Sequence, residues 1–157
     1  MTDTAYKTTF DSLADMQEYV GKEIGLSDWL TVDQESVNAF AKLTKDEQWI
    51  HIDVERSTKY SPYKTTIAHG FFVLSFASHF AESCMAIKDV KMGVNYGLDR
   101  VRFTSATPVG AKIRGRISLL EYERKDGGAK YKLKLVMELA GQEKPACIAE
   151  WIGVAYN

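Results

Sequence analysis

The sequence predicts an α+β fold in which one buried helix packs against one antiparallel sheet. Three observations predict it. Residues 70–87, GFFVLSFASHFAESCMAI, carry apolar side chains nearly all round a helical wheel, the pattern of a helix buried on most sides. From Met92 onward the apolar pattern changes to period two and keeps it to Tyr156. Helical segments come first and strands last, as in an α+β chain.

Each element has its own signal. Ser12 to Tyr19 reads as a short helix with Leu13, Met16 and Val20 on one face, and Gly21 and Gly25 punctuate its end. Leu26 to Thr31 reads as a short strand. Asp33 is placed to cap the next helix, where Val37, Phe40, Ala41 and Leu43 recur at helical spacing and which ends near Thr44. Residues 44–69 look irregular, with Asp53 suited to cap one short turn and Pro62 in a tyrosine-flanked loop. A loop this long in a compact domain usually serves function. Gly70 opens the apolar helix. Met92 to Thr104 and Ala111 to Glu123 read as strands, with Pro108 and Gly110 between them. Asp126-Gly127-Gly128 makes a turn. Tyr131, Leu133, Leu135, Met137 and Leu139 then alternate with a mostly charged set, as in a half-buried antiparallel strand. Gly141 to Lys144 turns the chain into a last strand, Ala146 to Tyr156.

A chain of 157 residues, 45% hydrophobic and 26% charged, suits one soluble domain over 1–157. Repeats, low-complexity tracts and linkers are absent from the sequence. Twenty basic against 21 acidic residues give a net charge of -1, which argues against nucleic acid or an anionic membrane as the main partner. No apolar run approaches the roughly 20 residues that cross a bilayer. The N-terminal stretch MTDTAYKTTFDSLADMQEY is polar and acidic, without a secretory pattern, so a cytoplasmic location is expected. Cys84 and Cys147 lack CxxC spacing and read as buried reduced thiols. With three His and two Cys, a Cys/His zinc site is not expected.

Three features carry possible chemistry. Asp46 and His51 stand five residues apart in the long loop, and a carboxylate and an imidazole can share acid/base work on one water; a turn aspartate and a satisfied loop histidine would give the same spacing. Ile67-Ala68-His69-Gly70 lies at the mouth of the apolar helix, where backbone N–H groups lack internal partners and a glycine lets a ligand approach. Such an amide can hold a carbonyl oxygen that gains negative charge, although a tight turn also asks for glycine. Ser78 and His79 lie within the helix with no strained GxSxG turn, so a structural role suits them. Trp29, Trp49 and Trp151 read as core or interface aromatics.

On these residues the sequence resembles the MaoC-like dehydratases, the (R)-specific enoyl-CoA hydratases with a hot-dog fold, and within them a branch with nodulation protein N-like sequences. Leu43-Thr44-Lys45-Asp46-Glu47-Gln48-Trp49-Ile50-His51-Ile52-Asp53 is similar to the hydratase signature, with the Asp and His at the family's separation. Thr66-Ile67-Ala68-His69-Gly70 matches the His-Gly entry to the central helix, and Ser78 lies eight residues beyond that glycine, where some members have a serine lining the site. Residues 94–103 and Pro108-Val109-Gly110 resemble the branch's first long strand and its turn into the next one. The resemblance covers about residues 30–155. Lys45 stands where many members have glycine, and Gln48-Trp49 where many have Asn-Pro.

The resemblance implies one hot-dog domain, an antiparallel sheet wrapped around a long central helix. It implies a hydro-lyase that adds water to a trans-2-enoyl thioester, with coenzyme A as part of the substrate, giving an (R)-3-hydroxyacyl product without a metal or redox cofactor. Asp46 and His51 would bind the water, one taking its proton and the other helping to deliver a proton to C2. The Gly70 amide would hold the thioester oxygen. His69, Trp49, Gln48 and Ser78 would contact substrate, and Ser78 could instead orient His51. An aspartate working near neutral pH asks for a dry pocket. A homodimer is expected by analogy, and an exposed sheet edge favours pairing. The same fold hosts thioesterases, but residues 70–80 lack the acidic residue they commonly carry. A non-catalytic acyl-CoA binding protein would tolerate losing Asp46 or His51, and both are present.

Overall fold

The computed structural model describes residues 4–157; the first three residues of the polar N-terminal stretch, and of the expected 1–157 domain, lie outside the described residues. Strand β1 (Tyr6–Phe10) comes first, followed by a 3-10 turn over Leu13–Tyr19, then β2 (Glu23–Leu26) and β3 (Leu30–Thr31). Helix α1 (Gln34–Thr44) leads into two short helices, α2 (Trp49–Ile52) and α3 (Val54–Tyr60). The apolar segment forms α4 (Gly70–Ser75) and α5 (Ala77–Cys84), then β4 (Met85–Ile87). The long strands β5 (Met92–Arg102), β6 (Lys112–Lys125), β7 (Gly128–Leu139) and β8 (Cys147–Tyr156) close the chain.

The strands form one sheet in the order β4-β1-β2-β6-β7-β8-β5, with β3 paired to β6 off that path. Every pairing among the described residues is antiparallel except the short β1–β4 pair. The alternation read in β7 is borne out: Leu133, Leu135, Met137 and Leu139 are buried, with Tyr131 packed against the same core. Those residues meet Phe72, Val73, Phe80 and Cys84 from the helical segment in one hydrophobic cluster. Across the sheet, Arg116 of β6 pairs with Glu23 of β2 at 3.0 Å and with Glu138 of β7 at 2.6 Å.

The two predicted caps are present. Asp33 accepts from the Ser36 N–H and Asp53 from the Arg56 N–H, satisfying first-turn donors. Asp53 caps a seven-residue helix rather than a single turn. Several local expectations fail. The long central helix is two segments: the Phe76 N–H bonds back to Val73 in a tightened turn, and the Ser75 hydroxyl donates to the Phe72 carbonyl. Met85-Ala86-Ile87 does not continue the helix but pairs in parallel with β1. Leu43, six residues beyond Val37, falls on the far side of the α1 wheel and is 81% exposed. Val20 is also exposed, because the chain turns extended as the 3-10 turn ends. The strand expected over Leu26–Thr31 is interrupted, and β1 has no sequence signal strong enough to assign it. The apolar helix is not buried all round, since Phe71 is 70% exposed.

Two glycines set how closely α5 sits on the sheet. A Cβ on Gly115 of β6 would come within 2.5 Å of the Phe80 Cβ, and one on Gly25 of β2 would overlap the Cys84 carbonyl oxygen. The Cys84 thiol reaches the Gly115 carbonyl at 3.6 Å. Cys84 and Cys147 are both buried and free, as expected, and burial raises the Cys147 thiol to about 11. Among the described residues no helix is long and apolar enough to cross a membrane.

Gly25→Ala and Gly115→Ala are each expected to lower stability by about 2–3 kcal/mol through overpacking. The Gly25 change should cost more, because backbone is its obstacle. Gly97→Ala, with nothing within 4 Å of the added carbon, should change little. Urea midpoints at constant slope check all three.

Candidate active site

The site begins with the turn out of α1. Lys45 takes a left-handed conformation, φ 64°, which stops the helix and carries the chain away to Asp46. Glycine is the residue that adopts this conformation most readily, so Lys45 occupies a position where glycine would be less strained. Asp46 follows exposed, and Gln48 precedes α2, its carbonyl accepting from the His51 N–H at 3.0 Å.

Short α2 holds His51 inward, 7% exposed. Several bonds fix it. Its Nδ1 lies 2.6 Å from the Ile67 carbonyl; a carbonyl only accepts, so Nδ1 carries the hydrogen and Nε2 the lone pair. The Ile67 N–H returns a bond to the Ile50 carbonyl at 3.0 Å. Gln34, at the start of α1, donates to the His51 carbonyl at 2.7 Å and accepts from the Thr66 hydroxyl at 2.5 Å. Gln34 is thus a site-building residue that sequence reasoning missed; its position beside the Asp33 cap was the available signal. Burial, and to a lesser degree the neighbouring His69, lower the His51 pKa below its ordinary 6.5, while the Ile67 bond and Asp46 act the other way. The lowering influences prevail, so the imidazole is neutral at neutral pH.

His69 closes the cluster. Its ring stacks on His51 with centroids 3.8 Å apart and planes at 26°. Asp46, His51 and His69 bring one donor atom each to within 4.8 Å of one another. The His51 Nδ1 and the His69 Nε2 are already committed to backbone carbonyls, so neither nitrogen is available to an ion.

Gly70 opens α4 directly after His69. As the first helical residue its N–H has no carbonyl one turn earlier. With only six residues in α4, the argument rests on that N–H rather than on a long helix dipole. A cavity of about 250 Å³ lies here, lined by His51, Gly70, Val73, Tyr63, Phe103 and Ala146 among others. A Cβ on Gly70 would sit 2.8 Å from the Phe103 ring, so glycine is needed for the ring to close this wall. Phe103 is a second lining residue that sequence reasoning did not single out; it lay inside the strand read over Met92 to Thr104, and the structure places it one residue past the end of β5.

The structure therefore brings Asp46, His51, His69 and Gly70 together. It does not bring the other expected contacts with them. Ser78 is exposed on α5 and lines separate cavities with Trp151 and Asn95, which leaves it out of the His51 environment. Trp49 lies under the Arg56 guanidinium at 4.5 Å, and Gln48 contributes its backbone carbonyl. The dry pocket expected for Asp46 is not supplied by this chain, because the turn after Lys45 faces outward.

Residues 15–139 match the family model described as MaoC like domain. The 3-hydroxyacyl-thioester dehydratase Z of Mycobacterium tuberculosis is 43% identical over 145 residues, spanning 92% of this chain and 95% of that protein. Nodulation protein N of Rhizobium leguminosarum bv. viciae is 41% identical over 145 residues, spanning 91% and 90%. The unliganded R-hydratase PhaJ1 from Pseudomonas aeruginosa superposes with a TM-score of 0.72 at 17% identity, over 94% of this chain and 87% of that one. The (R)-hydratase from A. caviae gives 0.67 at 19%, over 80% and 89%. The chain belongs to the MaoC-like dehydratase family and has its hot-dog fold.

Proposed function

We propose that this protein is a hydro-lyase that adds water to trans-2-enoyl-CoA to give (R)-3-hydroxyacyl-CoA, and runs the reverse dehydration. One observation carries the reading: a neutral, buried imidazole with its lone pair on Nε2 stands with a carboxylate beside a cavity that the Gly70 backbone lines. The names of the M. tuberculosis dehydratase and of the R-hydratases support the substrate class.

In this reading Asp46 and His51 hold one water. One takes its proton as the oxygen bonds to C3, and the electron pair moves through C2 to the thioester oxygen. The Gly70 N–H holds that oxygen as its charge grows. The other partner delivers a proton to C2 as the enolate collapses. None of these steps calls on a metal or a redox cofactor. Trp49, Gln48 and Ser78 keep their expected substrate contacts only where the acyl-CoA extends past the cavity, and the buried His69 has little surface to offer one.

The protein acts as a homodimer in this reading. Strand β5 ends the sheet, is bulged at two points, and exposes Met92, Val94, Tyr96 and Leu98. A long apolar edge is a surface that proteins ordinarily cover.

Crotonyl-CoA hydration, followed as loss of enoyl absorbance, is expected for the wild type. Asp46→Asn and His51→Ala should each reduce it by about 10²-fold or more. Activity that survives both changes sinks the site. A wild type inert on crotonyl-CoA and on longer or branched enoyl thioesters sinks the hydratase reading; thioester hydrolysis would then be assayed. With His51 as the partner that takes the proton, it must be neutral, and its pKa is lowered, so kcat/KM should hold steady as pH falls through 6.5 and drop only below it. An acid limb centred above 6.5 contradicts the imidazole assignment. Light scattering should give twice the 17.7 kDa chain mass, and Val94→Lys with Leu98→Lys should halve it. A monomeric wild type rules out the pairing.

A further inference from the structure

We propose that His69 is a positioning residue whose Nε2–H holds the backbone of Asp46 in place, so that the carboxylate and the His51 imidazole meet on one water; this rests on the hydratase reading above. The His69 Nε2 lies 2.9 Å from the Asp46 carbonyl oxygen. A carbonyl only accepts, so Nε2 carries the hydrogen and Nδ1 the lone pair. That Nδ1 is buried and has no hydrogen-bond partner among the described residues. Buried polar atoms of this kind are uncommon, and the arrangement persists because the ring's other atoms are committed. One face lies on His51, and Phe40 packs against the ring at 5.1 Å. The residue is only 3% exposed, so it has little surface to offer a ligand. That separates it from the substrate-contacting role its place in the sequence suggested.

The need for such a tie comes from the turn. Residues 45–47 leave α1 through the left-handed Lys45 and lie exposed. Among the described residues, no other hydrogen bond reaches them from outside this turn and its flanking helix. The chain from Asp46 to the helix mouth at Gly70 runs out through α2 and α3 before it returns, so it leaves the Asp46 backbone loosely placed against the mouth. His69 bridges that excursion and joins the acid loop to the start of α4. A misplacement of about 1 Å in such a constellation costs about 10²-fold in rate.

The pair His69→Gln and His69→Met tests the bond itself. The two side chains have nearly the same size and both lose the ring, but only Gln can donate to the Asp46 carbonyl. On crotonyl-CoA, His69→Met is expected to lose about 10²-fold in kcat, and His69→Gln to recover at least about tenfold of that, with KM unchanged within about twofold in both. Equal kcat in the two variants overturns the proposal, as does a raised KM at unchanged kcat, which marks a ligand contact. A melting temperature lowered only in His69→Met would mark the bond as a stabilising contact and also overturn it. If the wild type turns over no enoyl thioester, the hydratase reading fails by itself. Crystal structures of the pair then decide: Asp46 held in place in the Gln variant and displaced in the Met variant supports the tie, and an unmoved Asp46 in both refutes it.

Discussion

The seat of α5 on the sheet is the constraint on which the rest of the molecule depends. Gly25 and Gly115 lie on paired strands, and their missing side chains make a notch into which Phe80 and Cys84 settle. A helix held this close to a sheet has little freedom to slide, because interiors pack at crystal-like density. The position of α5 fixes the tightened turn at Phe76. That turn fixes α4, and α4 fixes where Gly70 presents its amide. The site is therefore set from the core outward, through a stretch of chain that carries no catalytic group.

The groups of the proposed site are held by a different kind of force. Helix α2, which carries His51, contributes no residue to the buried cluster among the described residues, and hydrogen bonds to backbone carbonyls do much of the positioning of both His51 and His69. Ile67 both donates to Ile50 and accepts from His51. Gln34 links the same segment to α1. Bonds to carbonyls also choose the tautomer of each ring, which decides where the usable lone pair points. Burial then keeps the His51 imidazole neutral. Packing and hydrogen bonding thus divide the work: one places the frame, the other sets the protonation state and direction of the groups on it.

Legibility in the sequence tracks this division. Strands β5 to β8 were legible because period two repeats over long runs, and the Asp33 and Asp53 caps because a cap is a local event between neighbours. The Asp46–His51 spacing was legible as a pattern, and the resemblance supplied its meaning. Strand β4 was hidden because Met85-Ala86-Ile87 continues an apolar helical run; only β1, far away in sequence, makes it a strand. The His69 bond to Asp46, the Gln34 link and the Phe103 wall join segments well separated along the chain, and no local periodicity reports them. Ser78 illustrates the reverse: its offset from Gly70 fits the family pattern, but the turn at Phe76 and the solvent-facing side of α5 direct it away from His51.

A single chain leaves several large apolar residues exposed. Phe71, Phe103 and Met92, Val94, Tyr96 and Leu98 of β5 are among them, and Phe71 and Phe103 touch edge to face at 6.0 Å. Scattered apolar residues on a surface need no explanation, but a run of them along the edge strand of a sheet does. In the proposed hydration the site should hold the water it uses and no other, since bulk solvent weakens every electrostatic interaction there. In the proposed dimer a second copy over β5 would bury the exposed apolar residues of that strand, so the surface a single chain leaves open is the surface the pairing would use.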